Sequence, residues 1–361
     1  MPQKNNQYLS EIDILKCIAI FFVINYHCMY FEYAQRSTLL YTIRYFIYTL
    51  FSTCVPLFFF INGYLLLNKP FDIKKHLIRC LRILIITSIW AALGLILFKI
   101  TGHISLTSHE ILNKIFTPDK SPVAYTWYMG TLFCIYIFFP LIKAAYDTNY
   151  KAFIIFVLTI AVMTFGFTFI NQTGGIFLSL KHGRPQDFYI SFMGMYNPFK
   201  ETYAYTMVYF CAGGIFCKYK EKILSVPSIK RNLISVTVLF TCWTLLFLSG
   251  IIFSHAEDSF WDSVWFGYDT IYTFVNVCML YILSLNFKSV NKIIKTIAGN
   301  TLGIYLIHPI LIQLLEPYTT DTIFMYSWVF NIVYTIAIFL ISLLITLVLR
   351  KLPVINSIVK L

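Results

Sequence analysis

Apolar residues fall in long runs along this chain rather than in alternation, and the runs recur from one end to the other. Stretches near residues 13–31, 50–67, 83–100, 124–143 and 152–170 are long enough to cross a hydrocarbon core of about 30 Å. Five more lie near 204–217, 232–253, 268–286, 301–315 and 326–349, of which the sixth and ninth of the whole set are short. Backbone polar groups in lipid must bond within their own segment, so these runs predict helices. The pattern predicts an all-α, polytopic membrane protein of about ten transmembrane helices. The Tyr- and Phe-rich run 38–49 reads as an interfacial helix. The longest polar stretch, 171–203, with Gly174, Gly175, Gly183, Arg184, Pro185 and Pro198, reads as an outer loop, either a lid or a plain connector.

Composition supports this pattern. The 361 residues are 58% hydrophobic and only 12% charged, with a mean hydropathy of +0.72, against roughly 25% charged in soluble domains. No polar block is long enough to fold separately, which predicts a single membrane domain over 1–361 with no additional soluble domain. The first apolar run outlasts a signal-peptide core and has no small-residue cleavage site after it. Nine cysteines show no CxxC spacing and mostly lie in or beside apolar stretches, so neither a disulfide framework nor a metal site is inferred.

Charge adds an orientation. With the N-terminus in the cytoplasm, alternate loops place 19 of the 28 lysines and arginines inside and eight outside, Lys16 lying within the first helix. Both termini are therefore predicted cytoplasmic. The net charge of +12 is mostly that of loops facing anionic lipid, and no basic, aromatic-interleaved module points to nucleic acid.

Against this apolar background the polar positions carry the chemistry. In the first helix Asp13, Lys16 and His27 lie in or beside the membrane, where ionisable groups usually face a bundle interior or an aqueous cavity. Eleven residues bring Lys16 and His27 to within about 20° of one helical face, with a rise of roughly 16 Å. An imidazole there suits a general base on a hydroxyl, or is an interfacial residue. Arg79 and Arg82, three apart in HLIRCLRIL, suit phosphate or carboxylate ligands, or serve as positive-inside anchors. Pro56 and the Asn62-Gly63 pair interrupt VPLFFFINGYLLL, for close substrate approach or for tight helix packing. In NTLGIYLIHPIL, Tyr305 and His308 share a face and line a cavity or pack internally, while Trp127 and Tyr128 read as an aromatic belt.

Taken together these segments resemble the acyltransferase-3 family of integral membrane acyltransferases over essentially the whole chain. A basic residue, ten others and a histidine match Lys16 and His27, preceded by the acidic Asp13; Arg-x-x-Arg matches Arg79 and Arg82. The family's Val-Pro-Leu-Phe-Phe…Ser-Gly-Tyr segment is similar to 55–64, ending in Asn62, Gly63 and Tyr64. Its late Leu-Gly-Ile-Tyr…His segment is similar to 302–308, and its fourth-helix Trp corresponds to Trp127. Lys16 stands where Arg is common, Cys17 replaces a usual Gly, and Asn62 a usual Ser.

The resemblance implies a standalone enzyme that moves an acyl group, most of all acetyl, from cytoplasmic acyl-CoA to a hydroxyl of a cell-surface polysaccharide or lipid-linked sugar. It implies a bacterial inner or plasma membrane, acetyl-CoA as donor substrate and no permanently bound cofactor. His27 would be the catalytic base or acyl-handling residue, with Lys16 supporting charge on the same face, and Arg79 and Arg82 would hold the CoA phosphates. Asp13, Asn62, Tyr64, Trp127, Tyr305 and His308 would bind substrate or support the site. The other readings are an acyltransferase using succinyl or another group, and a secondary transporter of a small metabolite, which broken helices and intramembrane charges also describe.

Overall fold

The computed structural model describes residues 9–116, 123–182, 203–319, 326–352 and 358–359, and among these every regular element is helical. The first half holds α1 (Ser10–Cys28), α2 (Leu39–Leu50), α3 (Cys54–Leu67), α4 (Ile73–Ile100), α5 (Ser108–Phe116), α6 (Trp127–Thr148), α7 (Tyr150–Ala161) and α8 (Phe167–His182). The second holds α9 (Tyr205–Lys218), α10 (Lys220–Leu224), α11 (Ser228–Glu257), α12 (Ile271–Ser284), α13 (Lys292–Ala298), α14 (Thr301–Thr319) and α15 (Trp328–Leu349).

A helix stands at each of the ten predicted stretches. Among the described residues six units are both long and apolar enough to cross a bilayer: Leu39–Leu67, Ile73–Ile100, Ala124–Thr148, Tyr150–His182, Ser228–Glu257 and Trp328–Leu349. α13 and α14, bent by 68° where Gly299 and Asn300 separate them, make a seventh if taken as one span. α9 and α12 have 14 residues each, or about 21 Å, short of the hydrocarbon core. α1 carries Glu11, Asp13 and Lys16 near its start, but α3, α12, α13, α14 and α15 all pack against it. Glu11 is buried in this packing, and Asp13 and Lys16 are half-buried.

Two segments differ from their predicted form. The run 38–49 is the first part of a continuous 29-residue unit, Leu39–Leu67, joined through a 3₁₀ turn at Phe51–Thr53. The Thr38 hydroxyl caps its start, accepting from the Tyr41 amide at 3.2 Å. Tyr41, Tyr45 and Tyr48 are buried, and all three pack their rings against Phe31. This face belongs to the core, and an interfacial helix would leave it uncovered. The predicted loop 171–203 begins instead as helix: α7 passes through a π-helical turn at Val162–Gly166 into α8, which contains Gly174 and Gly175 and runs to His182. Gly183, Arg184, Pro185 and Pro198 lie outside the described residues.

The segment around Pro56 and Gly63 is an unbroken helix. Pro56 is the third residue of α3, within the first turn, whose amides need no intrahelical partner. The Asn62-Gly63 pair serves close packing: a Cβ at Gly63 would lie 1.6 Å from the Phe210 carbonyl oxygen, and one at Gly213 would lie 1.9 Å from that of Phe60. α3 and α9 therefore cross backbone to backbone. At the far end of α1, the buried Arg44 guanidinium donates at 2.7 Å to the carbonyls of Tyr30 and Tyr326 and to Asn331 Oδ1. Asn331 Oδ1 also accepts from the Tyr30 amide at 3.1 Å. These bonds tie the chain just beyond His27 to α2 and α15.

Candidate active site

His27 stands in the last turn of α1, flanked by the buried Asn25 and Cys28 but itself exposed. Its ring centre lies 5.4 Å from that of His308, which is fully buried. Since α1 is enclosed by other helices, an exposed ring at this position borders an accessible space, with His308 behind it. Tyr26 packs on His27 at 4.7 Å and sends its hydroxyl to Asp262 Oδ2 at 3.0 Å. Asp262 Oδ1 accepts from the Tyr48 hydroxyl and from the amides of Val264 and Trp265, each at 3.0 Å. One carboxylate thus gathers four donors and fixes the surroundings of His27.

From His308 a chain of polar groups leads toward the other end of the bundle. Tyr305, one turn back on the buried face of α14, packs on His308 at 5.9 Å and on Tyr128 at 5.3 Å. Its hydroxyl donates to the Tyr125 carbonyl. The Asn62 side chain bridges two tyrosines of α6. Its Nδ2 donates to Tyr128 Oη at 3.3 Å and to the Phe58 carbonyl at 2.8 Å, while its Oδ1 accepts from Tyr136 Oη at 3.3 Å. The Tyr136 ring lies 5.9 Å from that of His76 on α4, and Arg79, one turn along α4, is within Coulombic reach of both. The series Arg79, His76, Tyr136, Asn62, Tyr128, Tyr305, His308 and His27 therefore runs through an apolar interior.

α4 starts where it does because Asp72 caps it. Asp72 Oδ1 accepts from the Lys75 amide at 3.1 Å, and Oδ2 pairs with the Lys75 ammonium at 3.1 Å. That amide, with help from the ammonium, holds the Asp72 carboxyl below the usual carboxylate range. Three residues apart on this helix, the two arginines face differently: Arg79 is half-buried against the bundle, whereas Arg82 is exposed beside Leu81 and Ile85.

The other residues singled out in the sequence stand apart from this series. Lys16 is half-buried three turns before His27, within reach of Asp13, Cys17 and Lys69. The Tyr64 hydroxyl donates to Glu11 Oε1 at 3.0 Å, which also takes the Lys220 ammonium at 2.6 Å. This group knits α1 to α3 and α10. Trp127 packs on Tyr203, Trp265 and Tyr268 at 5.2, 5.6 and 6.2 Å. Through Tyr268, whose hydroxyl is 3.5 Å from Cys54 Sγ, it connects to the core. Among the described residues no cluster of three or more His, Cys, Asp or Glu side chains is arranged for a metal ion.

Sequence reasoning missed Asp262, Tyr26, Tyr48, Tyr136 and His76. Asp262 lies in the segment between α11 and α12, where nothing in the local sequence sets it apart. The tyrosines are not set apart in a chain with 26 of them, and His76 carries the one local signal, three residues before Arg79.

Comparison with known proteins shows the family of the chain. The acyltransferase-3 family, described as an acyltransferase domain, matches residues 9–351, nearly the whole chain. No curated protein and no solved structure matches it. With several apolar helices long enough to span a bilayer and a family match over nearly its full length, the chain belongs to the acyltransferase-3 family and is a multi-pass membrane acyltransferase.

Proposed function

We propose that this protein moves an acetyl group from cytoplasmic acetyl-CoA to a hydroxyl of a cell-surface polysaccharide or lipid-linked sugar, as a single domain over 1–361 in a bacterial inner or plasma membrane. The observation that carries the reading is the polar series from Arg79 to His27. It offers a cationic end for the phosphates of a CoA donor and an accessible imidazole at the other end for an acceptor. On this reading about ten helical segments, α9 and α12 short among them, make up the membrane domain, both termini are cytoplasmic, and the start of α4 faces the donor. The lysine and arginine distribution supports that orientation.

In the proposed reaction a nitrogen of His27 takes the proton of the acceptor hydroxyl as its oxygen bonds to the acyl carbon. The carbon–sulfur bond breaks, and the proton passes to the departing CoA thiolate. Arg79 anchors donor phosphate, with Arg82 at the surface of the same helix. Lys16 and Asp13 set the charge at the donor end of α1. Asn62, Tyr305 and His308 hold the inner wall, Tyr64 braces α3 against α1, and Trp127 stands among the aromatic residues at the acceptor end.

The test is acyl transfer by the purified protein in proteoliposomes, with radiolabelled acetyl-CoA and a panel of envelope glycans and lipid-linked sugars. Label in at least one acceptor, with free CoA released in equal amount, is the expected result. A well-folded protein that neither binds acetyl-CoA nor labels any acceptor contradicts the reading.

A further inference from the structure

His308 is held in one tautomer. Its Nδ1 lies 3.1 Å from the Ile304 carbonyl oxygen, and a carbonyl only accepts, so Nδ1 carries the proton and Nε2 of the neutral ring is an acceptor. That Nε2 is buried without a hydrogen-bond partner, in a side chain with 0% exposure. Buried polar atoms are seldom left unpaired, so such an atom beside an accessible space calls for a donor. The nearest candidate is His27, whose ring centre is 5.4 Å away with the planes inclined by 46°. Two imidazoles joined by a linear N–H···N bond of about 3.0 Å have ring centres about 5.2 Å apart. The spacing already suits that bond, and a turn of the exposed His27 ring completes it. His308 cannot turn as freely, being tied to Ile304 and packed against Tyr305.

We propose that His308 is a positioning residue whose Nε2 accepts the N–H of His27. This fixes His27 in the tautomer whose other nitrogen is unprotonated and faces the accessible space. When His27 takes a proton from the acceptor hydroxyl, the same Nε2 still accepts from the imidazolium. The assignment rests on His27 acting as the base, and it gives the late Tyr…His segment a role separate from substrate contact. A neutral acceptor suits this depth, where a carboxylate behind His27 would bring a permanent buried charge.

The pairing has a signature independent of activity. In protein labelled with ¹⁵N at its seven histidines, the His308 signals are those lost in His308→Leu. They are expected to show a protonated Nδ1 and an unprotonated Nε2, with the Nε2 signal moving in His27→Ala. In transfer assays His308→Leu, which keeps the volume and removes the acceptor, is expected to lower kcat about 100-fold with the acetyl-CoA KM unchanged. His308→Gln, which keeps an acceptor oxygen, is expected to recover at least a tenth of the wild-type kcat. A protonated Nε2, an Nε2 signal indifferent to His27→Ala, or equal activity in the Leu and Gln variants overturns the proposal. Wild-type protein that transfers no acyl group instead refutes the acyltransferase reading, and the ¹⁵N signals still decide whether the two histidines are paired.

Discussion

At the scale of single residues, the difference between Arg79 and Arg82 is the most direct consequence of the geometry. Arg79 is half-buried beside His76 and Tyr136, while Arg82 is exposed one turn on. A guanidinium that anchors donor phosphate through a charge-assisted hydrogen bond contributes about 1.5–3 kcal/mol. Arg79→Ala is therefore expected to raise the KM for acetyl-CoA by roughly 10- to 100-fold, and Arg82→Ala less than about threefold. Steady-state kinetics at fixed acceptor compares them; equal effects would remove Arg79's distinction. Spacing alone made both arginines candidates, because residues three apart share a helical face. Which of them turns inward depends on α6, and α6 is distant in sequence. Tyr305 with His308 was legible for the opposite reason, because helical periodicity within one segment brings their rings together. Lys16 and His27, predicted on one face of α1, stand three turns apart on it with different neighbours. Asn62 shows the limit, since its partners Tyr128 and Tyr136 lie 66 and 74 positions away.

At the scale of elements, the crossing of α3 and α9 holds Asn62 against α6. Gly63 and Gly213 meet carbonyl groups of the opposite helix, and backbone cannot move aside as a flexible side chain can. Gly63→Ala is expected to force α3 and α9 apart and to destabilise the fold by about 1–3 kcal/mol. A thermal melt in detergent would record a lower midpoint, and an unchanged midpoint would show that the crossing yields. Apolar length located all ten helical stretches, yet it misassigned segments at their edges. The tyrosine-rich run 38–49 looks amphiphilic in isolation, and becomes core because Phe31 and Phe260 cover its rings. Residues 171–182 hold polar residues and two glycines, and still extend α8 because helix interrupts no hydrogen bonds where a loop would.

At the scale of the whole molecule, a helix bearing three charged side chains is packed among other helices. α1 is ringed by five helices, and the packed apolar interior is threaded by one series of polar groups that starts at Arg79 and ends at His27. That organisation fits an enzyme whose two substrates approach from different ends. The single measurement closest to the central claim is acetyl transfer from radiolabelled acetyl-CoA to glycan by wild type and by His27→Ala, each reconstituted at matched amounts and shown to be folded. Glycan labelling by wild type that falls at least about 100-fold in His27→Ala is the predicted result. Equal labelling by a folded His27→Ala protein would contradict it.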